Sequence, residues 1–339
     1  MVEHPPNQVP VPPIHEPARP QHTVPRRRTS LGWIVLASVM GFGFMGMIST
    51  CGGMSGLQMG EEVVGTGTDR VGVVELVGPI MDTKQSIRDI RKFLRKLDLK
   101  ALVIRVDSPG GAVAPSQELY QEIRRASKKM PVVVSMGSVA ASGGFWVAMA
   151  GDYIFASAGS ITGSIGVISQ NPDLQRVAEQ LQFNMRTYKS GPHKDMGNPF
   201  RAMTEADDAV FMALIDDVYE QFVEIIHERR GLEIAEIKKF ADGRVFTGRA
   251  AKSYGVVDEL GGLYPAAHKA VLMARVRAAK KAGQAEDSIS TDTDLSLVYP
   301  EKPRPSFLEM LTETAGRRFV DGVADGIEER TARSKIELR

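Results

Sequence analysis

The chain of 339 residues carries one cysteine, Cys51, which excludes an intrachain disulfide framework and a cysteine-based zinc site. Neither sign of charge is in excess: 42 Lys and Arg stand against 41 Asp and Glu, a formal net charge of +1. With no basic stripe, and with aromatics at 6% of residues, nucleic acid is a poor partner. There is no His-Glu-x-x-His helix and no phosphate-binding loop, so the expected chemistry needs no metal and no cofactor. Long apolar runs are equally scarce. One stands out, Leu31 to Thr50, twenty residues without a charge, which as a helix spans about 30 Å, one bilayer core.

That run divides the chain. Residues 1–30 are rich in proline and polar side chains and end in Arg26-Arg27-Arg28, so they read as a disordered tail. The arginines before the run, set against Glu61 and Glu62 after it, place the tail in the cytoplasm and the body outside. A cleaved secretory signal is the competing reading. Cys51 after Ile-Ser-Thr distantly resembles a lipoprotein processing site, whereas a buried or interfacial cysteine is the default. Residues 51–70 form a Gly- and Thr-rich linker.

From Val71 apolar strands alternate with helical patterns, which argues a parallel sheet covered by helices, an α/β fold. Strands are expected at Val71 to Val77, 101 to 106, 132 to 134, 152 to 156 and Ser164 to Ile168. Helices are expected at 86 to 97, 115 to 128, 140 to 150 and 205 to 230. In the last of these Val210, Leu214, Val218, Phe222 and Ile225 make a core stripe.

Three segments carry chemistry. In Val139-Ala-Ala-Ser-Gly-Gly-Phe-Trp146 a serine opens a helix whose first amides lack partners. Read alone, Ser142 is an N-cap. Read as a nucleophile, it stands where the Gly143 amide meets an oxyanion. Asp107-Ser-Pro-Gly-Gly111 follows a buried strand, and is either a plain turn or the source of a second oxyanion donor. Tyr188-Lys-Ser-Gly-Pro-His-Lys-Asp195 is a polar loop offering Lys189, His193 and Lys194. A lysine base must be neutral, so its pKa must fall from about 10.4 to near 7, which costs about 4 kcal/mol. A surface lysine in water needs no such explanation.

Together with Thr162-Gly-Ser-Ile-Gly-Val167, these motifs, in this order, resemble the SppA-type signal peptide peptidases over roughly Val71 to Ala282. The resemblance implies a Clp/crotonase-like fold and a Ser/Lys dyad. Carried over by position, Ser142 matches the nucleophile and Lys194 the general base, with Lys189 as second choice. Ser164 matches an accessory hydroxyl that orients the lysine, and Gly111 with Gly143 matches the oxyanion hole. Phe246 to Gly262 continues the likeness, a short helix leading to a strand. The expected organisation is therefore tail 1–30, transmembrane helix 31–50, linker 51–70, protease domain 71–282 and C-terminal tail 283–339. The last segment is expected to lie extended on a neighbouring subunit, with a surface helix near Phe307 to Ile327.

The resulting expectation is a membrane-anchored serine endopeptidase that degrades remnant signal peptides and other short apolar peptides. By analogy with single-domain members, subunits form a homo-oligomeric ring in which neighbours share dyads. His193 keeps a Ser/His enzyme in play. A crotonase-like acyl-CoA enzyme would use the same two amides on a thioester enolate, and a silent membrane scaffold would keep the fold without the dyad.

Overall fold

The computed structural model describes residues 61–285 and 289–301. The expected cytoplasmic tail, the 31–50 segment, Cys51 and the helix near Phe307 to Ile327 lie outside them. Among the described residues no helix is long and apolar enough to cross a membrane.

Among the described residues nine strands form one sheet: β1 (Glu62–Val64), β2 (Asp69–Val77), β3 (Leu99–Ser108), β4 (Val132–Ala141), β5 (Tyr153–Ala156), β6 (Ile161–Gly163), β7 (Val245–Thr247), β8 (Glu259–Leu260) and β9 (Leu295–Tyr299). The path runs β1-β9-β2-β3-β4-β5-β8, with β6 paired to β4 and β7. Among the described residues antiparallel pairing is confined to β1 with β9 and β6 with β7. The helices are α1 (Lys84–Phe93), α2 (Val113–Ser127), α3 (Gly143–Ala148), α4 (Gln175–Gln180), α5 (Glu205–Arg230), α6 (Ile234–Lys238), α7 (Gly248–Ser253) and α8 (Leu263–Ala282). A mostly parallel sheet with βαβ crossovers through α1 and α2 is what a Clp/crotonase-like fold requires.

The strands read as near-continuous apolar runs because both faces are covered. Alternation sorts the side chains. Val71, Val73, Ala101, Val103 and Val133 pack against Ala266, Ala267, Ala270 and Val271 of α8. Their sequence neighbours Val74, Leu102, Ile104, Val132 and Val134 turn to the opposite face, where Ile90, Phe93, Leu119 and Ile123 of α1 and α2 meet them.

Several expected boundaries shift, each for a visible reason. The 132–134 strand runs on to Ala141, so Ser142 follows it with no loop between. Past Val106 the β3–β4 register slips, pairing Ser108 with Ala140. The Asp107 carboxylate fills the resulting bulge and accepts the Val139 amide at 3.1 Å. The helix expected at 140–150 is shorter for the same reason, spanning Gly143–Ala148. Ser164 to Ile168 is not a strand. The strand is Ile161–Gly163, and Ser164 turns away with φ 51°.

Helix α5 has the expected bounds and opens with a capping box between Thr204 and Asp207. Its core stripe does not hold throughout. Phe222, Val223 and Ile226 are buried, whereas Leu214, like Met212, is exposed.

The C-terminal segment differs most. Instead of lying on a neighbour, Leu295–Tyr299 is strand β9, parallel to β2 and antiparallel to β1. The sheet therefore takes in residues on both sides of 71–282. Leu297 and Val298 have at most 1% of their surface exposed, one on each face. Val298→Ala removes two buried methyl groups and is expected to lower unfolding free energy by about 2 kcal/mol. Urea denaturation checks this, since a strand docked on a neighbour would leave a single subunit's stability unchanged.

Candidate active site

Ser142 sits between β4 and α3 with φ 51° and ψ −121°. A side chain in that region costs of order 1–3 kcal/mol and persists where the surroundings over-determine it. The Ser142 amide donates to Gly163 O at 2.8 Å, and the Trp146 amide donates to Ser142 O at 2.9 Å. Strand and helix thus both hold the backbone, leaving the side chain at the edge of the cleft.

The loop after β3 comes up from the other side. Ser108 Oγ accepts the Gly110 amide at 3.1 Å. Ile80 N donates to Gly110 O at 2.8 Å and accepts in return at its own carbonyl from Ala112 N at 2.9 Å. In such a parallel bridge Ile80 uses its own amide and carbonyl, while those of Gly111 point away from it. That side belongs to Gly143, since a Cβ built on Gly143 lies 3.2 Å from the Gly111 amide nitrogen. The Gly143 amide opens α3 and has no partner within the helix. The Gly111 amide and Gly143 thus lie close together, and both residues share a cleft with Ser142.

These groups line one cleft of about 500 Å³. Gly111, Ser142, Gly143 and Ser164 are all present, and the remaining walls are chiefly apolar, including Trp146, Ile165, Val167, Val218 and Phe222. The Trp146 and Phe222 rings lie 4.7 Å apart in these walls. Ser164 is fixed through its backbone, its amide donating to Arg244 O at 2.8 Å. Among the described residues neither the Ser142 nor the Ser164 hydroxyl has a hydrogen-bond partner. The acids of the lining are Asp216 and Asp242. Hydrogen bonds from Arg244, at 2.7 and 2.9 Å from Nε, push the Asp242 carboxyl down to about 2.

The lysines are elsewhere. Residues 189–201 belong to an arm between β6 and α5, and neither Lys189, His193 nor Lys194 lines the Ser142 cleft. Lys189 Nζ donates to Pro192 O at 2.9 Å and Asp195 Oδ1 at 2.8 Å. His193 Nδ1 lies 3.3 Å from Asp207 Oδ1. Lys194 is exposed, and among the described residues its ammonium has no partner. The sequence reading missed Ser108, whose hydroxyl holds the Gly110 amide, and Asp107, whose carboxylate holds the β4 bulge. Ser ahead of Pro-Gly is the signal for such a side-chain-to-backbone turn.

Ion pairs hold the arm at neutral pH. Arg201 and Lys189 hold the Asp195 carboxyl down to about 2, and Arg201 with Thr204 holds Asp207 lower still. Both groups are more acidic than in an unfolded chain, so their contribution is present above about pH 4 and lost as pH falls through their folded values. Hydrogen–deuterium exchange, corrected for intrinsic rates, is expected to show residues 191–201 losing protection between pH 4 and pH 2. Unchanged protection would mean that the arm is held by other forces.

With the cleft in view, relatives become informative. The profile of Peptidase family S49 matches residues 124–277, which include Ser142, Ser164 and the lysine loop. A Synechocystis sp. protein provisionally named a protease is 38% identical over 259 residues, covering 76% of this chain and 87% of that one. The chain belongs to peptidase family S49. Other relatives agree with S49 membership. An Enterococcus faecium protein provisionally named signal peptide peptidase SppA is 30% identical over 217 residues, 59% of this chain and 63% of that one. The chloroplastic serine protease SPPA of Arabidopsis thaliana is 31% identical over 242 residues, 71% of this chain and 34% of its own length. As an S49 chain this is a serine-type peptidase on an α/β fold.

Proposed function

We propose that this S49 peptidase is a membrane-anchored endopeptidase that cleaves remnant signal peptides and other short apolar peptides with Ser142 as nucleophile and Lys194 as base. The observation that carries the reading is the strained Ser142 at the strand–helix junction, with the Gly111 and Gly143 amides beside it in an apolar cleft. Ser142 Oγ attacks the peptide carbonyl, neutral Lys194 takes its proton and passes it to the leaving amine, and the two amides hold the oxyanion. A water activated by the same lysine then releases the acyl group. Ser164 orients the amine.

Lys194 is favoured over Lys189 because Lys189 is engaged by Asp195 and Pro192, while Lys194 has no partner among the described residues that would keep it from a hydroxyl. His193 is held by Asp207 rather than turned to the cleft. The arm exposes four large apolar side chains within eight residues, Leu181, Phe183, Met185 and Tyr188, and clustered exposed apolar groups mark interaction surfaces. This supports a ring in which one subunit's arm brings Lys194 to the next subunit's Ser142. The anchor is the 31–50 segment, with the body outside the cytoplasm, and the apolar cleft walls suit the apolar stretch of a signal peptide.

Two experiments test the reading. A fluorophosphonate probe is expected to label Ser142, located by peptide mapping, and failure to label would favour acyl-CoA chemistry or a silent scaffold. Mixing Ser142→Ala with Lys194→Ala chains is expected to restore activity if neighbours share dyads. No recovery at any ratio would overturn the sharing.

A further inference from the structure

Lys194 lies between two residues fastened to one node. On one side Asp195 Oδ1 accepts from Arg201 Nη2 at 2.9 Å and from Lys189 Nζ at 2.8 Å. On the other, His193 Nδ1 lies 3.3 Å from Asp207 Oδ1, and Arg201 Nη1 donates to Asp207 Oδ2 at 2.7 Å. Asp207, 2% exposed, is also the acceptor for the Thr204 amide and hydroxyl at the N-terminus of α5. The node is therefore rooted on a 26-residue helix. Residues 181–190, which lead into the turn, are all exposed, so burial cannot order this part of the chain. Charge-assisted bonds do so instead.

We infer that Arg201 is a positioning residue that holds the Lys194 turn on the N-terminus of α5 and keeps Asp195 and Asp207 from capturing the Lys194 ammonium. The inference rests on Lys194 being the base. The charged and titratable groups of the node are Lys189, His193, Asp195, Arg201 and Asp207. With Arg201 in place its guanidinium satisfies both carboxylates, and the planar fork of arginine can bridge them where a single ammonium cannot. Without it, two carboxylates are under-compensated, that of Asp195, next to Lys194 in sequence, and that of Asp207, which shares the node. The Lys194 ammonium would turn back to them, which favours the charged form and withdraws the base from the hydroxyl.

The test uses the full chain and a fluorogenic apolar peptide. Arg201→Met is expected to lower kcat by about 30- to 100-fold at pH 7, the scale of a misplaced catalytic group, with KM changed less than twofold. The pH at which kcat reaches half its maximum is expected to rise by about one unit. Arg201→Lys, which keeps the charge but not the fork, should recover only part of the loss and guards against misfolding of the first variant. In a Lys194→Ala background, Arg201→Met should cost nothing further, because the group it places is gone. Wild-type kcat and pH profile in Arg201→Met, or losses that multiply in the double variant, would overturn the proposal. Full activity in Lys194→Ala alone would overturn the base assignment itself, and that result is read independently of Arg201.

Discussion

Ser142→Ala is expected to lower kcat about 10³- to 10⁶-fold, leaving the residual rate that binding and the oxyanion donors supply by themselves. Lys194→Ala should fall in the same range and His193→Ala should stay near wild type, a split that separates a lysine base from a histidine one. Ser142→Gly adds a readout that activity cannot give. At φ 51° and ψ −121° the serine Cβ is strained, and glycine is not. The glycine variant should therefore be more stable than the alanine variant by about 1–2 kcal/mol while equally inactive. That difference, measured by urea denaturation, shows whether the junction stores strain to present a hydroxyl. Equal stability of the two variants would mean the backbone there is relaxed and the presentation argument fails. Activity surviving in Ser142→Ala would remove the nucleophile altogether.

What the sequence made legible follows the range of each interaction. Strands β2 and β3 and helix α5 are local patterns of apolar spacing and capping, and Thr204 with Asp207 marks the α5 start outright. The Ser142, Gly111, Gly143 and Ser164 group was recoverable because motifs at the carboxyl ends of adjacent parallel strands must converge. The length of β4 was not legible. Gly137 and Ser138 look like a strand's end, and only the bulge that Asp107 fills, some thirty positions away, carries the strand on to Ala141. Strand β9 was hidden for a similar reason. Leu297-Val-Tyr299 precedes a proline run, and its partners β2 and β1 lie more than 200 residues earlier. The exposed half of α5 shows the reverse failure, in which apolar spacing at Val210 and Leu214 is present but Leu214 stays exposed among the described residues.

Gly110→Ala is expected to damage both activity and stability. Gly110 has φ 109°, and a Cβ there would lie 2.8 Å from both the Gly143 amide nitrogen and the Ser142 Cβ, and 3.0 Å from Ala141 O. These neighbours are backbone or the Cβ of Ser142, the proposed nucleophile, held by β4 and α3, so no flexible side chain can yield. Relief must come by moving the oxyanion loop or Ser142, and either motion breaks the alignment of hydroxyl and donors. A displacement of this kind costs at least about 10²-fold in kcat, and conformational strain with overpacking costs about 2–4 kcal/mol of stability. Gly78→Ala is the matched control. Gly78 also has positive φ, 79°, yet a Cβ there meets nothing within 4 Å, so it carries the conformational cost alone, about 1 kcal/mol. Activity should survive in that variant. If Gly110→Ala instead behaves like Gly78→Ala, with stability reduced and kcat intact, the loop after β3 does not set the position of the attacking hydroxyl, and the Gly111 amide loses its claim to the oxyanion.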